Sequence, residues 1–347
     1  MVVVEVVVMT DESGTHYEVA VIGGGAAGLN GALMLSRARR SVVVIDSGEQ
    51  RNAPAAGVHG LLGREGIPPA ELLERGREEV RDHGGHLLAG EVGSVARDDA
   101  GFDVALLDGS RISARRLLVT TGLVDELPEV AGLRERWGGD VVHCPYCHGW
   151  EVRDRAIGVL ATGPMSVHQA LLFRQWSLDV KFFCHTRPAP TGEEAERLAA
   201  RGIEVIDGAV DSLELGERGI SGVRLVGGTV VGREVLAVAP RMTARAAFLA
   251  ELGLRAVEHP AGVGEHIPSD ATGATDVDGV WVAGNVTDPS VQVGPAAAAG
   301  ANAAARINAD LVEEEAARAV AAHRDPFSAE SEARGCEAVT GERRHGL

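Results

Sequence analysis

Cys144 and Cys147, with two residues between them, stand in the stretch HCPYCHGWEVRD that runs from His143 to Asp154. This spacing lets both sulfurs come within bonding distance in one turn, so the pair can cycle between dithiol and disulfide. Pro145 suits the first position of a helix, which would set Cys144 at a helix N-terminus and make its thiol more acidic. His148, directly after the pair, can take or give the proton that thiol–disulfide exchange moves near neutral pH. A packing or surface histidine is its plain alternative. Zinc explains less: a structural zinc takes four ligands, and the chain has no second C-x-x-C. His143 and His148 lie too close in sequence to complete a tetrahedron easily, and no metal is expected. Two buried structural cysteines are a further alternative, but redox chemistry accounts for more of the residues.

A second motif asks for a partner to that chemistry. GGGAAG supplies Gly23, Gly25 and Gly28 in G-x-G-x-x-G spacing, after the apolar run YEVAVI and at the opening of a helical pattern. Gly23 would permit the tight turn, Gly25 the approach of a pyrophosphate, and Gly28 close helix–strand packing. Asp46 ends the next apolar run, 18 residues after Gly28, where an acid can hold a ribose hydroxyl. A glycine motif alone is weak. Strand, helix and acid in order point to a dinucleotide, without separating FAD from NAD.

The same grammar of strand, turn, helix and strand returns about 140 residues later in AIGVLATGPMSVHQALLFRQWSLDVKFFCHTR, with its glycines thinned out. Apolar runs such as VAVI and VVVI alternating with helical patterns predict parallel sheet in βαβ units. Two such units predict an α/β fold of two Rossmann-like, three-layer ββα nucleotide-binding domains. The second is expected as an insertion in the first: 17–127 with 239–322 as the discontinuous FAD-binding domain, and 128–238 as an NAD(P)-binding-like domain carrying the C-x-x-C. GFDVALLDGSRISARRLLVTTG reads as a β-meander, and PAAAAGANAAARINADLVEEEAARAVAA as a long helix. Residues 1–16 are expected as an extra tail and 323–347 as a loose one.

Composition bounds the rest. The 347 residues are 45% hydrophobic, enough for about two domains with a substantial core. The net charge of −17 opposes binding to phosphate backbones, so no nucleic-acid partner is expected. Four cysteines are too few for a disulfide scaffold in this length. No apolar run reaches the roughly 18 residues that span a bilayer. The opening MVVVEVVVM lacks a basic n-region and a cleavage site, so it reads as a strand-like extension, or the native start is Met9. A soluble cytoplasmic chain with reduced thiols is expected.

With these motifs in order, the chain resembles the low-molecular-weight thioredoxin reductase family of FAD-dependent pyridine nucleotide–disulfide oxidoreductases. The likeness covers about residues 17 to 320 and rests on GGGAAG, LLVTTG (117–122), CPYCHG and GVWVAGNVTD (279–288) before an alanine-rich helix. It implies that Gly23, Gly25, Gly28 and Asp46 bind the ADP half of FAD. Arg51, Asn52 and Gly122 would lie along the flavin nucleotide. Gly284 and Asn285 would sit beside the ribityl chain, with Gln292 and Val293 near the isoalloxazine ring. An ordinary strand-to-helix loop is the alternative for these last four. Cys147 is expected as the flavin-proximal sulfur and Cys144 as the sulfur that exchanges with substrate. His59 and Gly60 occupy a loop that could reach the flavin, although a solvent-facing histidine is the commoner outcome. Cys184 is expected to be inert and Cys336 incidental. The family also implies a homodimer.

Three departures from the family pattern matter. His148 stands where an acid usually follows the second cysteine, and Asn285 replaces an acid of the last FAD motif. The second nucleotide turn keeps Gly163 but has Ala161 in place of the tight-turn glycine, Pro164 without an N–H, and Ser166 at the last small position. The arginine cluster for the NADPH 2′-phosphate is reduced to Arg187 within His185-Thr186-Arg187. One lost arginine–phosphate contact costs about 1.5–3 kcal/mol, so Gly163, Ser166 and Arg187 make a doubtful NADPH site. C-x-x-C-H-G beside an eroded pyridine nucleotide site resembles the FAD-dependent dithiol oxidases of the gliotoxin and holomycin type. That resemblance implies oxidation of a small-molecule or peptide dithiol with O2 as acceptor. The alternative is an NADPH-dependent reductase of a thioredoxin-like protein, and a flavin-bearing redox sensor without fast turnover is a third reading.

Overall fold

The structure, a computed structural model, describes residues 16–98 and 101–324. The N-terminal valine run, Met9 and Cys336 lie outside the described residues.

The chain opens with β1 (His16–Ile22), α1 (Ala26–Arg37), β2 (Val42–Asp46), α2 (Pro69–Asp82) and β3 (His86–Ala89). A meander follows in β4 (Val92–Asp98), β5 (Gly101–Leu106) and β6 (Arg111–Val119), and β7 (Leu123–Glu126) leads away from it. Next come β8 (Val141–Val142), α3 (Pro145–His148), β9 (Ile157–Leu160), α4 (Ser166–Phe173), β10 (Val180–Phe183), α5 (Gly192–Ala200) and β11 (Glu204–Ile206). The strands β12 (Val210–Gly216), β13 (Gly219–Leu225), β14 (Val230–Val231), β15 (Val235–Val238) and β16 (Arg241–Ala244) complete that part. The short pair β17 (Val257–Glu258) and β18 (Glu265–His266), then β19 (Val280–Val282) and α6 (Val293–Arg324), close the described chain.

The first sheet is ordered β3-β2-β1-β6-β5-β4. The long strand β6 pairs with β1 along one edge, while its other edge takes β5 antiparallel near its start and β19 parallel near its end. The valine-rich runs are continuous rather than alternating because this sheet is covered on both faces. Val19, Val21, Val42, Val44, Leu118 and Trp281 pack on α1 and α6. Their neighbours Ala20, Ile22, Val43, Ile45, Leu117 and Val119 face Val95, Phe102 and Val104 of the meander. Three layers result, each face closed by apolar surface at about 25 cal/mol per Å² removed from water. The second unit repeats the plan. Its parallel sheet is ordered β11-β10-β9-β15-β8, with α4 and α5 side chains on one face and β12–β13 on the other.

The two units are joined by an antiparallel ribbon in which β7 pairs with β16, Leu123 opposite Ala244 and Glu126 opposite Arg241. The run expected from Pro295 as a helix begins at Val293 and continues through His323 and Arg324, which the sequence reading assigned to the loose tail. Alanine, glutamate and arginine carry it two residues further because they are good helix formers. Among the described residues, no helix is long and apolar enough to cross a membrane.

Candidate active site

The dithiol segment follows β8. Cys144 caps α3 in an extended conformation (φ −91°, ψ 120°), with Pro145 as the first helical residue. The N–H groups of Cys147 and His148 both donate to the Cys144 carbonyl, at 3.2 and 3.1 Å. This tight turn sets the two Cα atoms 5.2 Å apart, and the cysteines form a disulfide. The amide nitrogen of Gln292, arriving from the loop before α6, lies 3.9 Å from Cys144 Sγ. On the other side, Gln169 of α4 donates to the His143 carbonyl at 2.8 Å and holds the segment's entry.

Both histidines flanking the pair are held toward the neutral form. Burial pushes His148 below its ordinary 6.5; Glu151 opposes that shift and His59 adds to it. Its Nδ1 is buried without a hydrogen-bond partner. His143 is likewise lowered, first by burial and then by the Arg51 guanidinium, against the opposing pull of Asp125 and the Val238 carbonyl. Below 6.5 the unfolded chain therefore binds more protons than the folded one, so stability declines as pH falls through that value. The melting temperature should drop between about pH 7.5 and pH 5.5, and His143→Gln should flatten that drop. An equal drop in the variant would assign the acid sensitivity to other groups.

A cavity of about 1550 Å³ runs from the first glycine turn past the disulfide to the second turn. At its head, Gly23 adopts φ +106° and Gly28 packs so closely that a Cβ there would lie 1.9 Å from the Gly23 carbonyl oxygen. A Cβ on Gly25 would meet nothing within 4 Å, so that face of the turn is open. Gly25 caps α1 with no side-chain hydrogen bond, leaving the first amides of the helix for an anion. Asp46 accepts the Gly24 N–H at 3.1 Å and the Gln50 amide at 3.3 Å, with Arg77 at 3.6 Å. Asn52, Gly122, Gly284, Gln292 and Val293 line the same cavity. An open amide cradle, an acid beside it and a long cavity that reaches the disulfide fit an FAD.

Two further expected residues, Arg51 and Asn285, line this cavity and also make protein contacts. Arg51 lines the cavity, but its guanidinium grips Asp125 of β7 through Nε at 2.8 Å and Nη2 at 2.7 Å. A bidentate carboxylate partner is the strongest available to an arginine, and the pair ties the flavin-side loop to the inter-unit ribbon. Asn285 turns its amide nitrogen onto the carbonyls of Asp288, Pro289 and Val291, at 3.1, 3.2 and 3.0 Å, and so shapes the loop that presents Gln292.

The second turn is folded onto itself. Ser166 Oγ accepts the N–H of Thr162 at 3.1 Å and of Gly163 at 3.2 Å, and Ser166 is 2% exposed. Thr162 in turn donates to the Ala239 carbonyl at 2.6 Å. Pro164 has no N–H and approaches the Gly262 loop. Arg187 lines the cavity and is exposed, while the His185 ring accepts the Val210 N–H at 3.1 Å.

His59 does not face solvent. Its side chain is 21% exposed, with Nδ1 2.7 Å from Glu65 and Nε2 3.6 Å from Glu151. The loop that carries it is closed by Val58 N–H to the Ile67 carbonyl at 2.8 Å, which turns the ring toward the dithiol segment. Gln50, Arg77, Gln169 and Glu151 were missed from sequence. None belongs to a spaced motif: Gln50 and Gln169 line the cavity from a loop and a helix, while Arg77 and Glu151 meet its residues Asp46 and His59. Cys184 is fully buried, and burial, then Asp207, raise its thiol above the ordinary range. Among the described residues no group of metal-ligating side chains is assembled.

Comparison with known proteins agrees with this arrangement. Residues 17–305 match the family model described as pyridine nucleotide-disulphide oxidoreductase. Over 313 residues the chain is 29% identical to "Thioredoxin reductase sirT" of Leptosphaeria maculans, covering 84% of this chain and 93% of that protein. It is 36% identical over 156 residues to "Thioredoxin reductase tcpT" of Claviceps purpurea, spanning 44% of this chain but only about half (49%) of that relative. The solved structure of HlmI superposes with a TM-score of 0.83 at 46% identity, covering 91% of this chain and 98% of that one. With the family model matched across both units, the chain belongs to the pyridine nucleotide-disulphide oxidoreductase family and is a flavin-dependent, thioredoxin reductase-like oxidoreductase.

Proposed function

We propose that the protein oxidises a small-molecule or peptide dithiol to its disulfide, with O2 as the final acceptor. The observation that carries this reading is the contrast between the two glycine turns. The first keeps an open amide cradle at Gly25, whereas in the second the Ser166 hydroxyl takes the very N–H groups that a pyrophosphate would need. A chain that cannot draw electrons from NADPH must draw them from its thiol substrate. In this scheme one substrate thiolate attacks Cys144, releasing Cys147 as thiolate, and the second substrate thiol displaces Cys144 to close the new disulfide. Bound FAD, held by Gly23, Gly25, Gly28 and Asp46, supplies the two-electron acceptor beside Cys147. His148, kept neutral by burial, accepts a substrate thiol proton. The protein is further proposed to act as a homodimer in the cytoplasm.

Gly163, open on its outer side, and the exposed Arg187 favour a second reading, NADPH-dependent reduction of a thioredoxin-like protein. One anaerobic stopped-flow experiment separates the two. Dithiothreitol should bleach the flavin absorbance within the mixing series, and micromolar NADPH should leave it unchanged. Rapid bleaching by NADPH would reverse the assignment.

A further inference from the structure

We infer that His59, between Glu151 and Glu65, is a proton relay that connects His148 at the dithiol site to solvent. The inference rests on the dithiol chemistry proposed above, because that chemistry leaves a proton to be removed. When a substrate dithiol reduces the Cys144–Cys147 disulfide, its two electrons pass to the enzyme sulfurs as the substrate's own S–S bond forms. Two substrate protons are shed. One returns to an enzyme cysteine, and if the other cysteine stays a thiolate, one proton is left over for export.

His148 accepts that proton, and its Nδ1, buried without a hydrogen-bond partner, gives it no outlet on that side. His59, from the 57–67 loop, lines the same cavity as His148 and faces Glu151, three residues after His148 in the turn that follows α3. Both act on the His148 ring, as does the Cys144 backbone, and His148 in turn acts on His143, which follows β8. His143 is committed to the Val238 carbonyl at 3.1 Å and points back into the second sheet. His59 leads outward: Nε2 faces Glu151 at 3.6 Å, Nδ1 contacts Glu65 at 2.7 Å, and the Glu65 side chain is 67% exposed. An imidazole placed between two carboxylates can take a proton at one nitrogen and release another from the second, with no net change in its own charge. The Glu151 gap of 3.6 Å suits transfer through a small movement or one water. Glu65 is fixed for this by the Gly60 N–H at 2.8 Å, and Gly60 in turn lies beside Gln292, the side chain that approaches Cys144. Glu65 is held below its ordinary carboxylate range, chiefly by His59, so it passes a proton on to water instead of retaining it.

The test is single-turnover bleaching of the FAD-loaded protein by dithiothreitol, followed across pH in wild type, His59→Ala and Glu65→Gln. His59→Ala should slow bleaching about 10-fold, less than the 10²–10⁴ of a direct general base, and shift the pH profile. Added imidazole should restore the rate, and Glu65→Gln, which keeps the hydrogen-bonding shape, should show a smaller loss in the same direction. An unchanged rate and profile in His59→Ala would overturn the relay. So would a loss that imidazole does not restore and Glu65→Gln does not share, since that is what a loop packing role predicts. Failure of dithiothreitol to bleach even the wild type would overturn the dithiol reading itself, and the relay with it.

Discussion

Cys147→Ser should retain FAD and its yellow colour yet lose dithiol-driven bleaching by about 10³-fold or more, the scale on which removing a covalent participant acts. No other described thiol can substitute. Cys184, the remaining described cysteine, is fully buried in the core of the second unit and its thiol is raised by burial. Cys144→Ser tests the division of labour between the sulfurs. If Cys144 exchanges with substrate, that variant also loses turnover, but its free Cys147 thiol still stands beside the flavin and should perturb the flavin spectrum as pH rises through the thiol's titration. The Gln292 amide lies 3.9 Å from Cys144, so both sulfurs are near the loop expected to approach the ring. A spectral response from Cys147→Ser and none from Cys144→Ser would exchange the two roles. Full activity in Cys147→Ser would end the disulfide mechanism.

The second large effect separates binding FAD from folding. Gly25→Val adds its side chain where nothing lies within 4 Å, so the protein should fold with its far-UV spectrum intact but purify colourless. Gly28→Val places a Cβ 1.9 Å from the Gly23 carbonyl and 2.6 Å from Thr120 Oγ1, and both are fixed. Thr120 Oγ1 donates to the Gly23 carbonyl at 2.7 Å, which leaves the turn no room to retreat. That overlap should cost more than about 4 kcal/mol, in the range where single substitutions prevent folding, so insoluble protein is expected. The readouts are circular dichroism and bound flavin per chain. A yellow Gly25→Val protein would move the cofactor away from the first turn.

Much of this molecule is written locally. The strand–turn–helix beginning at Tyr17 has hydrophobic runs, glycines and an acid at spacings that backbone geometry itself requires. The same holds for Cys144 and Cys147: two intervening residues and a proline suffice to form the cap and bring the sulfurs together. The alanine-rich run was legible as a helix from propensity alone. Its small residues had a second purpose that sequence could not reveal. A Cβ on Gly300 would lie 1.9 Å from the Ala27 carbonyl, so α6 crosses α1 at close range only because both are trimmed there.

The surroundings of the dithiol were decided by long-range packing. Asp125 claims Arg51 from 74 positions away, Gln292 meets Cys144 across 148, and one serine hydroxyl accepts two amides of the second turn. The identities of those residues were visible beforehand, but a side chain's partners depend on which loops the two sheets bring together. His59 shows the difference most clearly. As a loop histidine it should face water, and only the folding of residues 57–67 beside Glu151 and Gln292 makes it a mostly buried ring between two carboxylates. Sequence by itself determined two nucleotide-binding-type units and a redox-capable cysteine pair, because those depend on spacing within one turn or one strand. Tertiary structure alone decided which amides stay open to a ligand and which histidines are drawn from water, because burial and partner choice belong to the assembled surfaces.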